Sequence, residues 1–173
     1  MQIHYGYDCK FFCGRFYIYT HSKICYNQSM QYSIKTTVGI NDASRYIRHI
    51  VFEIEQGFQD EFDDVDEWAD TIVLYDKGGA AIATGRVFLY DQESSTYKLG
   101  RIAVVKEYRK HGLGAVVVKE LEKIAIAQGA KTLLISAQVR SQGFYEKCGY
   151  VATDDKYYEE HVPHVKMLKT LSN

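Results

Sequence analysis

Arg109-Lys110-His111-Gly112-Leu113-Gly114 brings three basic side chains up to two closely spaced glycines. A segment that reads as a strand over residues 97–105 precedes it and an amphipathic pattern follows, so the loop should lie where a strand passes into a helix. The first turn of a helix leaves backbone N–H groups without internal partners, and the aligned peptide dipoles add partial positive charge there. Gly112 and Gly114 have no Cβ, so the backbone can turn sharply and come close to a ligand. With charge from Arg109, Lys110 and His111, the combination suits a diphosphate. Two other phosphate loops fit less well. A P-loop needs Gly-Lys-Ser/Thr at the helix start, whereas Ala115-Val116 follows Gly114; a dinucleotide fingerprint needs an early βαβ unit ending in an acid, whereas several strands precede this loop and Ser136-Ala137-Gln138 follows it.

The elements that must position this loop follow from the periodicity. Gln31-Tyr32-Ser33-Ile34-Lys35-Thr36 reads as a first strand. Asn41-Asp42 offers an N-cap for a helix carrying Tyr46, Ile47, Ile50, Val51 and Ile54 and stopping near Gly57. Residues 58–70 are acidic and irregular, with room for one helical turn. Strands are expected at 71–75, 80–90 and 97–105, joined by turns at 76–79 and 91–96. From Gly112 the period changes: Leu113, Val116, Val117, Leu121, Ile124 and Ala125 define a helix to about Gln128, stopped by Gly129. Residues 132–137 form a short, nearly continuous apolar strand suited to a buried, partly parallel position. A short helix over 139–148 and two closing strands at 149–152 and 165–168 complete a mixed α/β sandwich.

The chain has 173 residues, 46% of them hydrophobic and 25% charged, which fits one globular domain with a real core. A formal net charge of -1 gives no global reason to expect nucleic acid, and no apolar run approaches membrane-spanning length. Cys9, Cys13, Cys25 and Cys148 show no zinc spacing with the histidines; no metal is expected, and the thiols read as free in a reducing cytoplasm. Residues 1–29 are rich in Tyr and Phe, with Asp8 their only acid, and show no signal-peptide pattern. They read as an N-terminal extension, from an upstream start codon or as a docking arm, ahead of a domain over 30–173.

The loop resembles the Q/R-x-x-G-x-G/A pattern of the GNAT superfamily of N-acetyltransferases, met here by Arg109, Gly112 and Gly114. A second family segment, N-x-x-A-x-x-x-Y-x-K-x-G-F, is matched in its latter half by Phe144-Tyr145-Glu146-Lys147-Cys148-Gly149-Tyr150, with Gln138 at its Asn and Ser141 at its Ala. Arg48-x-x-Val51-Phe52-x-x-Glu55-Gln56-Gly57-Phe58 and Val162-Pro163-His164-Val165-Lys166-Met167 resemble the first helix and closing strand of a bacterial subgroup of mostly unassigned acceptor. The resemblance spans about residues 31–170. It implies the GNAT fold: an α/β arrangement with a mixed central sheet of about six to seven strands, flanked by about four helices and splayed between the fourth and fifth strands. It implies acetyl-CoA as co-substrate, with pantetheine on the backbone of Ile102, Ala103 and Val104, a strand bulge near Val104-Val105, the pyrophosphate on the 109–114 loop, and a cofactor contact at Gln138. A homodimer is among the assemblies it implies.

Acyl transfer to an amine requires loss of the ammonium proton, stabilisation of an oxyanion and protonation of the leaving thiolate. Tyr145 matches the residue that serves as general acid in many relatives; as a residue alone, it could equally be a packed aromatic beside Phe144. Glu53, Glu55 and His164 are the candidate bases or acceptor contacts. Glu53, Glu55, Asp60, Glu61, Asp63, Asp64, Asp66, Glu67 and Asp70 crowd one segment, either as a solvated loop or as a negative rim drawing in a cationic amine. The leading expectation is transfer of acetyl to a primary amine of a small molecule or protein. The alternatives are a non-catalytic acyl-CoA-binding module and an acyl-carrier-dependent synthase on the same fold.

Overall fold

The computed structural model describes residues 23–27 and 30–171, with only the backbone described for 23–27 and Met30. Eight strands form one sheet: β1 Lys23–Asn27, β2 Met30–Val38, β3 Asp70–Asp76, β4 Ala81–Asp91, β5 Thr96–Val104, β6 Thr132–Gln138, β7 Val151–Glu159 and β8 Val162–Thr170. Their order is β1-β2-β3-β4-β5-β6-β8-β7, and every neighbouring pair is antiparallel except β5 and β6. The seven strands from Met30 onward are those expected. The eighth, β1, lies inside the 1–29 segment and extends the edge beside β2; the aromatic stretch from Tyr5 to Tyr19 lies outside the described residues. The described helices are α1 Asp42–Arg48, continued by a π-helical segment at His49–Ile54, α2 Leu113–Ala127 and α3 Gln142–Lys147, with short 3-10 turns between elements.

Alternation along the strands builds two faces. Val87, Leu99, Leu133, Ile135 and Met167 bury one face under Leu113, Val117, Val118, Leu121 and Ala125 of α2. The approach is close because Gly85 of β4 has no side chain: a Cβ there would sit 2.7 Å from Val117 Cγ1 and 2.9 Å from Leu121 Cδ1. On the other face, Ile47 and Val51 of the first helix pack with Val73 and Ala103. The Asn41 side chain caps α1 by accepting from Ser44 N–H at 2.9 Å, as expected.

Three expectations need correction. The first helix does not keep an α-period to Gly57. The π segment, with Glu55 N–H on Ile50 O at 3.1 Å, turns its later residues round, so Ile54 is exposed and Glu55 and Gln56 point across the sheet. The closing strands are much longer than 149–152 and 165–168: a hairpin continues through the polar residues 153–161, which carry no apolar alternation to reveal it. The bulge lies at Arg101-Ile102 rather than Val104-Val105. Thr84 pairs with Ala103 and Arg86 with Gly100, so two residues of β5 oppose Gly85 alone. Arg101 takes φ 53° there.

Candidate active site

Strands β5 and β6 pair only from Thr96↔Thr132 to Leu99↔Ile135. Beyond Gly100, β6 continues with β8 while β5 stays with β4, so the two part and leave a gap. This is the splay expected between the fourth and fifth strands counted from Met30. Val105 N–H donates to Ile82 O on β4 at 2.9 Å. Antiparallel alternation therefore turns the Ala103 backbone groups toward β4 and those of Val104 toward the gap. Ala103 is buried under the first helix, and Ile102 lines the cavity that the gap opens into.

At the end of β5 the chain makes two left-handed turns, at Lys110 (φ 67°) and Gly112 (φ 76°), before entering α2. Lys110, His111 and Gly112 are exposed. Leu113 is a core residue, 2% exposed, and offers a ligand only its backbone. Gly114 has a packing role as well: a Cβ there would lie 3.3 Å from Phe144 Cζ, so the glycine loop and the Phe144-Tyr145 segment touch. The turns and the free first turn of α2 suit a diphosphate lying along the loop.

Arg109 does not point at that cradle. Its Nη1 and Nη2 donate to Glu55 Oε1 and Oε2, both at 2.6 Å, and its Nε donates to Val104 O at 2.9 Å. The Arg109 hydrogen bonds hold the Glu55 carboxyl below its usual range, against a smaller effect of burial. Gln138 is also engaged. Its Nε2 donates to Gln56 Oε1 at 2.8 Å and its Oε1 accepts from Arg140 Nε at 2.8 Å; Arg140 Nη2 donates to Gln56 as well. Successive residues Glu55 and Gln56 thus tie the π-helical segment to both lips of the gap.

A cavity of about 580 Å³ lies at the gap, and Glu55, Ile102, Arg109, Gln138, Tyr145 and His164 all line it. Lys110, His111, Gly112, Leu113 and Gly114 lie beyond it. Tyr145 on α3 packs edge-on to Phe144 at 4.8 Å and to Tyr150 at 6.2 Å. Burial holds its phenol well above the ordinary value, so it is protonated at neutral pH. Among the described residues its hydroxyl has no protein hydrogen-bond partner.

His164 is 4% exposed and stands on β8 between Gln138 of β6 and Tyr157 of β7. Its Nδ1 lies 3.0 Å from Val162 O, which can only accept, so that contact suits a hydrogen on Nδ1 and leaves Nε2 toward the cavity. Glu159 lies 3.4 Å from Nε2, and the Tyr157 ring stacks on the imidazole at 5.9 Å.

The acidic segment is divided: Asp60, Asp64 and Glu67 are exposed, whereas Glu61, Asp63 and Asp66 are held by arginines rather than forming an open rim. Arg48, 1% exposed, donates to Glu61 at 2.7 Å and bidentately to Asp66 at 2.5 and 2.8 Å. Arg86 donates bidentately to Asp63 at 2.6 Å and to Asp66 at 2.5 Å, while Arg101 Nε donates to Glu61 O at 3.1 Å. Burial raises Glu61; against burial, Arg48 and Arg86 hold Asp66 down to about 2. One sequence signal pointed here: Arg86 stands alone in the middle of an apolar strand. Among the described residues no group of three or more His, Cys, Asp or Glu is placed to hold a metal, and no helix is long and apolar enough to cross a membrane. Cys148 is a free thiol; the side chains of Cys9, Cys13 and Cys25 lie outside the described residues.

A splayed mixed sheet with a glycine cradle at one end of the gap and a tyrosine and a histidine on the cavity wall defines an acyl-CoA N-acyltransferase fold. Residues 53–171 match the family model described as an acetyltransferase (GNAT) domain, and the chain belongs to that family of acyltransferases. The Bacillus subtilis protein YyaT is 35% identical over 144 residues, covering 80% of this chain and 94% of its own. YjcF of the same organism, described as an uncharacterized N-acetyltransferase, is 35% identical over 127 residues, covering 72% and 88%. The crystal structure of a Lactobacillus plantarum protein described as an N-acetyltransferase superposes with TM-score 0.71 at 31% identity, covering 80% of this chain and 99% of that one.

Proposed function

We propose that this chain transfers the acetyl group of acetyl-CoA to a primary amine by direct attack on the thioester. The observation that carries the reading is the gap opening at Gly100, with the α2 cradle at one end and Tyr145 and His164 on the wall of one cavity. The chain's residues fit the co-substrate. Lys110, Gly112 and the first turn of α2 would hold the diphosphate by backbone N–H groups, and Val104 turns its backbone toward the pantetheine path. When bound, acetyl-CoA supplies an activated acyl carbon and a thiolate leaving group.

Only about one in a thousand or fewer lysine-like amines is neutral at pH 7, so a base near the acceptor is useful. His164 Nε2 accepts the ammonium proton, with Nδ1 held by Val162 O and the resulting imidazolium facing Glu159. The neutral amine would then bond to the acyl carbon to give a tetrahedral adduct; as the carbon–sulfur bond breaks, the adduct nitrogen gives up its second proton, which replaces the one that Tyr145 donates. The transient oxyanion takes a backbone N–H of the splayed β5. Tyr145 donates its hydroxyl hydrogen to the departing sulfur. Its raised pKa favours a proton or hydrogen-bond donor over a phenolate. Glu55 is the weaker base candidate, because Arg109 occupies both its oxygens. The family match falls wholly within the proposed 30–173 domain, leaving residues 1–29 outside it. The free thiol of Cys148 suits a reducing cytoplasm.

The test is thiol release from acetyl-CoA over amines, polyamines, aminosugars, amino acids and peptides, with mass detection of products. Stoichiometric thiol and acetylated amine are expected for one class. Binding of CoA without transfer to any class would overturn the reading.

A further inference from the structure

Most of the arginines at the cavity wall are already held by carboxylates. Glu55 neutralises Arg109, while Glu61, Asp63 and Asp66 neutralise Arg48, Arg86 and Arg101. Lys98 has no such partner. It lines the cavity half-buried; among the described residues its ammonium makes no hydrogen bond or ion pair, and the Tyr90 ring lies 5.7 Å from Nζ. Burial pushes its ammonium down; Glu159 opposes this, while Arg101, Arg86 and Lys166 push the same way as burial. A desolvated cation among cations is costly unless an anion from outside completes it.

That anion is not the co-substrate's diphosphate. Lys98 precedes Val104 by six residues on β5, on the order of 20 Å along an extended strand, and the cradle lies beyond Val104. Lys98 sits where β5 and β6 are still paired, in the cross-strand row Phe88–Lys98–Leu134–Leu168. His164 is four residues from Leu168 and two strands across from Lys98, which puts the two Cα atoms on the order of 16 Å apart. Both side chains rise from the same face of the sheet, so an acceptor must bridge much of that distance. Resting on the acetyltransferase reading, we infer that Lys98 anchors an anionic group, a carboxylate or phosphate, on an acceptor whose amine reaches His164. The spacing selects an amine and an anion separated by several bonds, as in an ω-amino acid, rather than an α-amine beside its own carboxylate.

The test compares ω-aminohexanoate, ω-aminohexyl phosphate and hexylamine as acceptors for the wild type, Lys98→Met and Lys98→Arg. At least one anionic amine should show a KM roughly tenfold or more below that of hexylamine, and Lys98→Met should raise it roughly ten- to a hundredfold, the worth of a charge-assisted hydrogen bond. The hexylamine KM should stay nearly constant and Lys98→Arg should recover part of the loss. The preferred anion, carboxylate or phosphate, is read from the first two acceptors. Unchanged melting temperature and CoA affinity exclude misfolding of the variants. Binding of the anionic amines is measured separately by calorimetry, so Lys98-dependent binding without transfer would support the anchor while sinking acetyl transfer. Equal KM values for all three amines would overturn the anchor. Acetylation of Lys98 itself, seen by peptide mass mapping after incubation with acetyl-CoA, would also overturn it by making this lysine a nucleophile.

Discussion

Glu55→Gln should tighten CoA binding, although it removes the ion pair that bridges the first helix and the cofactor loop. The Glu55–Arg109 pair is bidentate, but both side chains are more than a third exposed. An exposed pair contributes about 0–1 kcal/mol to folding, so the melting temperature should hardly move. The effect on the cofactor has the opposite sign. Were Arg109 to turn from Glu55 to a phosphate on the neighbouring loop, that phosphate would stand about 6 Å from the Glu55 carboxylate, and two unit charges at that distance repel by about 0.7 kcal/mol in water and about 3 kcal/mol at an effective dielectric of 20. Taking about 1 kcal/mol near the aqueous end, removing the charge should lower the CoA Kd about fivefold. The pKa gives the pH dependence. Arg109 lowers Glu55 in the folded protein, so the carboxylate and its competition persist through neutral pH and fade only as pH falls through that lowered value. The variant's advantage should therefore shrink in acid. Calorimetry of CoA against both proteins at several pH values is the assay. An unchanged or weaker affinity would refute the reasoning, because it would mean that Arg109 serves the first helix and never exchanges Glu55 for phosphate.

Tyr145→Phe should lower kcat by about a hundredfold or more while leaving CoA affinity nearly intact, the pattern of a lost proton donor; rapid-quench turnover and calorimetry separate the two. Asp66 is about 2 in the folded protein against an ordinary 3.8, so it contributes about 2 kcal/mol that is present above pH 4 and lost as pH falls toward 2. Urea melts across that range should show the loss, and Asp66→Asn should remove that pH dependence and cost about 3–5 kcal/mol at neutral pH by leaving Arg48 and Arg86 undercompensated. Gly85→Ala should destabilise by about 1–3 kcal/mol, because its Cβ would meet Val117 and Leu121 of α2 well inside van der Waals contact; a thermal melt reads it directly.

The elements of the proposed cofactor side were legible because their determinants are local, although the partners of Arg109 and Gln138 were not. The glycine loop, the α2 period and the Phe144-Tyr145 segment each lie within about a dozen residues, and helix, strand and turn chemistry act on that scale. The contact between Gly114 and Phe144 then joins two motifs found independently in the sequence. The acceptor half was less legible because its determinants are pairings across the chain. No spacing rule links Arg48 to Asp66, Arg86 to Asp63 or Arg109 to Glu55, and the acidic segment read as a solvated loop or a rim because the partners of its paired acids lie on other elements. The π-helical segment was hidden too: its apolar residues at 50, 51 and 54 also satisfy an α-period, and only the backbone shows the wider turn that redirects Glu55 and Gln56.

Arg101 connects these two halves. Its left-handed backbone makes the bulge opposite Gly85, where β5 takes two residues to β4's one just as it leaves β6. Its side chain goes to Glu61, the acid that also holds Arg48 under the first helix. One residue therefore helps set both the bend of the strand that would carry pantetheine and the position of the loop that walls the acceptor side. The buried charges around it make sense on this account. An ion network contributes little net stability compared with apolar packing, but each bidentate arginine accepts only one geometry. A loop held by such pairs stays in register with the gap, which a site that must align an amine with a thioester needs more than it needs extra stability.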